Sequence, residues 1–477
     1  MTEITPIKPL WAGGEFVSGT AGVFSGNDAP DVNGISIDSR TIMSGEAYFA
    51  IKGDVHDGHD FVKPALEAGA SVAVVDRDHA PRFAAGTPLV VVDDVLVALQ
   101  SLGRAARLRT DAKVAAITGS VGKTGTKEAL RLALTKSGET HFSVKSFNNH
   151  WGVPLTLSRM PEDVDFGVFE IGMNHAGEIT PLTRMVRPHV AIITTIEPVH
   201  IEFFDSVAGI ADAKAEIFLG LVPGGTAILN RDNAYCDQLI DRAQVAGVSR
   251  ILTFGRSGEA DIRLIDAEVM DAGTRVSVDF LGRMLTYTVG APGVHWVMNS
   301  LAVLGAVDTL DADVEMGLEA LRDIAAPEGR GQTVSLPTDA APITLIDESY
   351  NANPASMRAA LALLGQTQPS SGGRRIAILG DMLELGEDSP RYHAELADPV
   401  EAASVDLVFT CGPLFENLAD KLPRSRRGAH APASAELIPL VLASVEPGDV
   451  VMVKGSLGSR MSPVVEALKS RYPDPHE

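Results

Sequence analysis

The sequence predicts an α/β protein of three domains, and three observations lead there. Short β-rich apolar runs alternate with longer Ala- and Leu-rich stretches of helical character almost throughout. The length, 477 residues, corresponds to about three domains at roughly 100–200 residues each. Two breaks then divide the chain: one near Arg109, ahead of a glycine-rich turn, and a Pro/Gly-rich stretch from Pro327 to Gly331 that follows a long helical pattern. The expected domains are 1–108, 109–327 and 328–477.

The clearest strand runs are SVAVVD from Ser71, AAIT from Ala115, HVAIITTI from His189, RIAILGD from Arg375 and DVVMVKG from Asp449. Separated by helical patterns, they point to parallel or mixed sheets covered by helices. No internal repeat interrupts the alternation. Hydrophobic residues make up 45% and charged residues 21%, enough apolar material for several cores without a disulfide or metal staple.

Forty Lys and Arg against 62 Asp and Glu give a formal charge of −22. Such a surface repels a phosphate backbone, so nucleic acid is not an expected partner. A small phosphorylated ligand is still compatible, held by local cations and backbone N–H groups. Cys236 and Cys411 form no C-x-x-C or zinc spacing, which fits a reducing compartment. The opening MTEITPIKPLWAGG lacks the basic start and apolar core of a signal peptide, and no uncharged apolar run approaches the roughly 18 residues of a membrane span. The expectation is a cytoplasmic protein without stable membrane insertion, working as a monomer.

The strongest motif is KVAAITGSVGKTGTKEAL, from Lys113 to Leu130. A β-like run ends at Thr118, the turn Gly119-Ser120-Val121-Gly122 follows, and Lys123-Thr124 opens a helix. Glycines let successive backbone N–H groups converge on one phosphate, and the helix N-terminus adds partial positive charge. Lys123 can neutralise β/γ-phosphates and the Thr124 hydroxyl can ligate Mg²⁺. Only two residues, not four, separate Gly119 from Gly122, so this is a shortened phosphate loop. A tight strand-to-helix connection is the plain alternative.

Other segments read as ordinary when taken singly. KSFNNHWGVPLTL, from Lys145, holds Asn148 and Asn149; FEIGMNHAGEI holds Glu170, Asn174 and His175; EPVHIEFFDS holds His200; and IADAKAEIF holds Lys214. Glu170 reads as a strand-end carboxylate, His200 as a surface or hydrogen-bonded histidine, and Lys214 as the solvated face of an amphipathic helix. AILNRDN with Asn230, and GVHWVMNSLAV with His295 and Asn299, read as a turn and a helix start. SIDSRTIMSGEAYFAIKGDVHDGHDFV carries Ser39, Arg40 and His59. GRGQ from Gly329 carries Arg330; LIDESYNANPASM carries Asp347, Tyr350, Asn351 and Asn353; ILGDMLELGE follows from Ile378; and VKGSLGSRM carries Lys454, Ser456, Ser459 and Arg460. Asn-Ala-Asn-Pro by itself is a helix-capping turn with proline at the first helical position.

Taken in order, from about Asp38 to Met461, these segments resemble the Mur ligase family and its folylpolyglutamate synthase relatives. TGSVGKT is similar to the family's shortened phosphate turn. NN-x-x-GVPLTL, SYNANP and GDMLELG are similar to the marks of the branch that adds D-alanyl-D-alanine, and no Asp-Asn-Pro-Arg motif of the diaminopimelate-adding branch occurs. The resemblance implies a small α/β domain gripping UDP, a central P-loop-type ATPase domain with a mostly parallel sheet, and a Rossmann-like C-terminal domain.

It further implies ATP and Mg²⁺ as cofactors, with Thr124, Glu170, His200 and a carbamylated Lys214 around the metal. Asn230, His295, Asn299 and Asp347 would contact the nucleotide, and Arg330 its γ-phosphate. Ser39, Arg40 and His59 would face the UDP moiety of UDP-N-acetylmuramoyl-tripeptide. Asn148, Asn149, Asn174, His175, Tyr350, Asn351 and Asn353 would line the substrate region, and Lys454, Ser456, Ser459 and Arg460 would suit a free carboxylate. His150 and Trp151 depart from the family pattern. The implied reaction is ATP-dependent amide formation through an acyl phosphate. Another ligase of the same superfamily, or an ATPase that makes no bond, are the competing readings.

Overall fold

The computed structural model describes residues 8–144, 146–270, 273–370 and 372–473. Lys145, which opens the KSFNN run, and the two ends of the expected first and third domains lie outside the described residues.

Three sheets follow one another along the chain. The first contains Val23–Phe24 (β1), Gly34–Ser36 (β2), Glu46–Phe49 (β3), Val72–Asp76 (β4) and Leu89–Val92 (β5), in the order β1-β5-β4-β3-β2. All its neighbours are parallel except β1, which runs against β5. The central sheet begins with Lys113–Thr118 (β6), Thr140–Phe142 (β7), Phe166–Glu170 (β8), Val190–Ile193 (β9), Thr226–Asn230 (β10) and Arg250–Gly255 (β11), all parallel. Ile262–Met270 (β12), Gly273–Phe280 (β13) and Arg283–Val289 (β14) extend it as an antiparallel meander, giving the order β14-β13-β12-β11-β10-β9-β6-β8-β7. The third sheet holds Gln332–Leu336 (β15), Ile343–Glu348 (β16), Arg375–Gly380 (β17), Leu407–Cys411 (β18), Arg427–Ala431 (β19) and Val450–Lys454 (β20), ordered β15-β16-β20-β17-β18-β19. Only β15 is antiparallel there.

The five runs read as strands from the sequence lie in β4, β6, β9, β17 and β20. Their unbroken apolar character has a physical cause: both faces of each strand are covered. In β6, Ala115 and Ile117 enter one core while Val114 and Ala116 enter the core on the opposite face. In β17, Ile376 and Ile378 face one side and Ala377 and Leu379 the other. The period of two is present, but each half of it is apolar.

The first unit is fastened to the second. The Val95–Leu108 helix buries Ala98, Leu99, Leu102 and Ala106 in the first core, and Leu155 from the central Gly152–Ser158 helix joins the same core. Gly103 lets the two helices approach, because an added Cβ would sit 3.2 Å from the Pro154 carbonyl oxygen. Trp11 donates its indole N–H to the Ser158 carbonyl at 2.9 Å, and the Arg109 guanidinium lies 3.4 Å above that indole ring. Arg159 donates to the Ile35 carbonyl at 2.6 Å. Arg109, expected at a boundary, therefore belongs to a packed junction.

Trp11→Ala should destabilise the protein by about 3–5 kcal/mol, the range for truncating a buried aromatic ring. Urea unfolding checks this, and a loss below about 1 kcal/mol would show that the junction does not depend on the ring.

Candidate active site

The phosphate turn is built by backbone shape. β6 ends at Thr118, Gly119 has φ 147° and Gly122 has φ 89°, and the Lys123–Leu134 helix starts immediately. A Cβ on Gly119 would lie 2.0 Å from Thr194 Oγ1, so no side chain fits there. The Ser120 N–H donates to the Thr195 carbonyl at 2.9 Å, and its hydroxyl donates to the Glu197 carbonyl at 2.9 Å. Gly122 provides no side-chain cap, which leaves the first N–H groups of the helix for a ligand. The Thr118 hydroxyl is buried with no hydrogen-bond partner among the described residues.

Glu170, the last residue of β8, is the anionic centre of the site. It is 1% exposed, and its two carboxylate oxygens accept from the Thr124 hydroxyl at 2.9 Å and from Asn148 Nδ2 at 2.7 Å. Lys123 donates its Nζ to the Gly119 carbonyl at 2.7 Å. Burial lowers the pKa of this ammonium, Glu170 opposes the shift, and the Arg330 charge adds to it.

Lys214 differs from the sequence expectation of a solvated helix face. The Val207–Ala215 helix buries Ile210, Ala211, Ala213, Lys214 and Ala215, and Lys214 is only 2% exposed. The helix is buried along most of its length, so Lys214 has no solvated stripe to occupy. Burial, and then the nearby Lys123 charge, push its pKa well below the usual lysine value. His200 adopts the left-handed conformation, φ 58°, and its Nδ1 pairs with the Glu384 carboxylate of the third unit. Burial lowers its pKa against the pull of Glu384.

A cavity of about 590 Å³ opens between the central and third units. From the centre, Ser120, Val121, Gly122, Lys123, Thr124 and Glu170 line it. Asn148, Asn174, His200, Asn230, His295 and Asn299 surround them. Asn230 is held in place by donating to the Thr194 carbonyl at 3.1 Å. From the third unit come Arg330, Tyr350, Asn351, Asn353, Lys454 and Ser456. Arg330 lies 4.1 Å over the Tyr350 ring and donates to Ser146 Oγ at 3.2 Å, reaching across the divide. Lys454 donates to Glu348 at 2.9 Å and to the Asn351 carbonyl at 3.0 Å. The Ser456 hydroxyl accepts from the Leu383 N–H at 3.0 Å.

The remaining candidates do not line this cavity. Asn149 caps the Gly152–Ser158 helix region, accepting from the Trp151 and Gly152 N–H groups. His175 pairs with Glu178 at 3.1 Å on the surface. Asp347 is buried beneath the site, accepting from the Gly329 N–H at 3.2 Å and from the Ser349 hydroxyl at 2.6 Å, so it fixes the turn that presents Arg330. Ser459 turns back to the Ser456 carbonyl, and Arg460 is exposed with φ 53°. In the first unit, Ser39 sits on a short turn, Arg40 is exposed and chelates Asp38 at 2.8 and 2.6 Å, and His59 is buried against Asp57. Asn353 fulfils the plain reading, capping the Pro354–Gln366 helix with Ser356 in a reciprocal box, while still facing the cavity.

Sequence reasoning did not single out Ser146, Thr194, Trp296, Glu348 and Glu384, all in the lining. Glu348 directly follows Asp347, and Glu384 lies within GDMLELGE, so position within the quoted motifs was the available signal.

Comparison with known proteins fits this geometry. The Mur ligase family, catalytic domain matches residues 31–107, the Mur ligase middle domain 117–307, and the Mur ligase, glutamate ligase domain 329–457. The chain belongs to the Mur ligase family. It is 31% identical over 440 residues to the UDP-N-acetylmuramoyl-tripeptide--D-alanyl-D-alanine ligase of Rickettsia prowazekii, spanning 92% of this chain and 96% of that one. The Bacillus subtilis ligase of the same name is 32% identical, spanning 92% and 93%. A crystal structure of MurF from Acinetobacter baumannii superposes with a TM-score of 0.84 at 28% identity, covering 98% of this chain and all of that one, 100%. The α/β fold in three units, mostly parallel, is therefore the fold of these ligases.

Gly119→Ala should lower ADP affinity at least about tenfold, roughly 1.4 kcal/mol, because the methyl group forces the turn away from Thr194. Calorimetric titration reads this directly; an unchanged Kd would show that the turn does not hold phosphate.

Proposed function

We propose that this member of the family is an ATP-dependent ligase that adds D-alanyl-D-alanine to UDP-N-acetylmuramoyl-tripeptide, giving the pentapeptide precursor of peptidoglycan. The observation that carries this reading is one cavity in which the phosphate turn and Glu170 of the centre meet Arg330, Tyr350–Asn353 and Lys454 of the third unit. The relatives named above, which match nearly end to end, carry this same activity in their names. A MurF ligase from Thermotoga maritima has been solved in complex with ADP, at 24% identity and a TM-score of 0.77.

A carboxylate does not accept an amine directly, because oxide is too poor a leaving group. Transfer of the γ-phosphoryl group of ATP to the tripeptide carboxylate gives an acyl phosphate. Attack by the dipeptide amine then gives a tetrahedral centre, which collapses to amide and phosphate. The chain's part is positioning and electrostatics. The N–H groups at Val121–Thr124 receive the phosphates, while Lys123 and Arg330 face the charge that gathers on the transferred group. Lys454, held by Glu348, sits where a free carboxylate of the incoming dipeptide would be met.

The donor set fits magnesium: the Thr124 hydroxyl, the Glu170 carboxylate and the His200 imidazole would hold it, supplying Lewis-acid charge beside the γ-phosphate. Lys214 fits carbamylation, since burial favours its neutral amine and the neutral amine is the form that combines with carbon dioxide. A carbamate would replace a repelling cation with an anion. We place the enzyme in the cytoplasm as a monomer, with Ser39, Arg40 and His59 on the unit that takes the UDP end.

Mass analysis of a mixture of protein, ATP, D-alanyl-D-alanine and UDP-N-acetylmuramoyl-tripeptide should show the pentapeptide product. Lys123→Met should abolish it, and ATP turnover that proceeds without the dipeptide would favour a non-ligating ATPase instead. Lys214→Ala should also abolish ligation, with partial recovery on adding short carboxylates; full activity in this variant would remove the carbamate from the mechanism.

A further inference from the structure

We infer that Glu384 of the third unit is a positioning residue for the metal, aiming the His200 imidazole of the central unit at the magnesium ion. The inference rests on the reading of His200 as a magnesium ligand proposed above. An imidazole binds a metal through one ring nitrogen and can be oriented through the other. Here Nδ1 of His200 pairs with the Glu384 carboxylate. An ionised carboxylate only accepts, so Nδ1 carries the hydrogen and Nε2 keeps its lone pair. Among the described residues, nothing donates to that Nε2. The ring lines the cavity, and the charges of Lys123 and Lys214 both act on it, so the open nitrogen is the one available to an ion beside the phosphates.

A carboxylate behind a metal-bound imidazole fixes the tautomer, holds the ring plane and makes the metal-facing nitrogen more basic. Magnesium favours oxygen donors over imidazole, so a histidine that holds it needs a well-aimed, electron-rich nitrogen.

The loop that carries Glu384 is held at three consecutive residues. The Asp381 carboxylate accepts from the Leu414 and Phe415 N–H groups at 3.2 and 3.0 Å. The Met382 N–H donates at 3.0 Å to Nε2 of the buried His393, whose Nδ1–H donates to the Ser389 carbonyl at 2.7 Å. The Leu383 N–H donates to the Ser456 hydroxyl oxygen at 3.0 Å. Glu384 then emerges with φ 62°, a left-handed form that a residue with a side chain keeps only where its surroundings fix it.

His200 is held from the opposite side. Three residues before it, Glu197 exchanges two hydrogen bonds with Ser120 of the phosphate turn: its N–H donates to Oγ and its carbonyl accepts from the hydroxyl, both at 2.9 Å. After it, Ile201 packs against the core of the third unit. At Gly386, φ 64°, the backbone itself meets the central unit, where an added Cβ would lie 3.5 Å from the Glu202 Cα. The contact is built from both units, and the metal site of the centre is completed by a carboxylate of its neighbour.

Full-length protein saturated with ADP is titrated with Mn²⁺, a paramagnetic stand-in for magnesium, and water-proton relaxation reports the metal held by the protein. Glu384→Ala should weaken Mn²⁺ binding about tenfold or more. Glu384→Gln, whose amide oxygen still accepts from Nδ1–H, should recover part of that loss. Pulsed EPR of the wild-type complex should show one histidine nitrogen on the Mn²⁺, a signal that His200→Gln abolishes. ADP binding without metal should stay unchanged in both Glu384 variants. Unchanged or tighter Mn²⁺ binding in Glu384→Ala, beside a loss in His200→Gln, overturns the positioning role and leaves the magnesium reading standing. Unchanged binding in Glu384→Ala and His200→Gln alike overturns both. An equal loss of metal-free ADP binding in Glu384→Ala also overturns the proposal, since the variant then disturbs the cavity as a whole.

Discussion

The buried carboxylate of Glu170 is the constraint on which the site depends. A charge so nearly excluded from water is retained only when both oxygens are bonded, and here Thr124 and Asn148 supply those bonds. Through Thr124 the carboxylate fixes the first turn of the helix that follows the phosphate loop. Through Asn148 it fixes the segment leading to Ser146, which in turn receives Arg330. Two lysines, Lys123 and Lys214, share this region, and the charge of the first acts on the second. Lys123 is the one with Glu170 acting in its favour, whereas Lys214 has burial and a like charge against it.

The cavity is a property of two units together, and polar contacts join them across it. Arg330 reaches Ser146, Glu384 pairs with His200, and Arg358 stands 3.8 Å from Glu197. Both partners of the second contact hold left-handed backbone conformations, His200 at φ 58° and Glu384 at φ 62°. Neither is glycine, so their loops are shaped by what surrounds them. These links are polar, and Ile201 of the central unit adds an apolar one by packing against the core of the third. The first unit, by contrast, is joined to the centre through a shared apolar core and the stacked Trp11–Arg109 pair.

Much of this was legible in the sequence because the relevant signals are local. The turn from Gly119 to Gly122 announces itself by residues that tolerate positive φ, and the buried strands by apolar runs bounded by polar ends. The meander of β12, β13 and β14 was not singled out, since its alternating pattern lacks a distinctive motif. The burial of Lys214 was hidden as well. In a short helix with apolar residues on every side, composition cannot tell which face meets the sheet. The pairing of His200 with Glu384 spans 184 positions, and no local pattern reports it.

Residues that serve the fold and residues that serve the site are often the same ones here, which explains why the plain and functional readings of a motif need not compete. Asn353 caps a helix and faces the cavity; Asp347 anchors a turn and thereby aims Arg330. A cap satisfies backbone donors that would otherwise need water, so a site built from capping residues arrives already rigid. The same economy has a consequence for mutagenesis: truncating Asn353 removes a helix cap as well as a cavity wall. Loss of activity there identifies a contact with substrate only when a variant that keeps the cap, such as Asn353→Asp, loses it too.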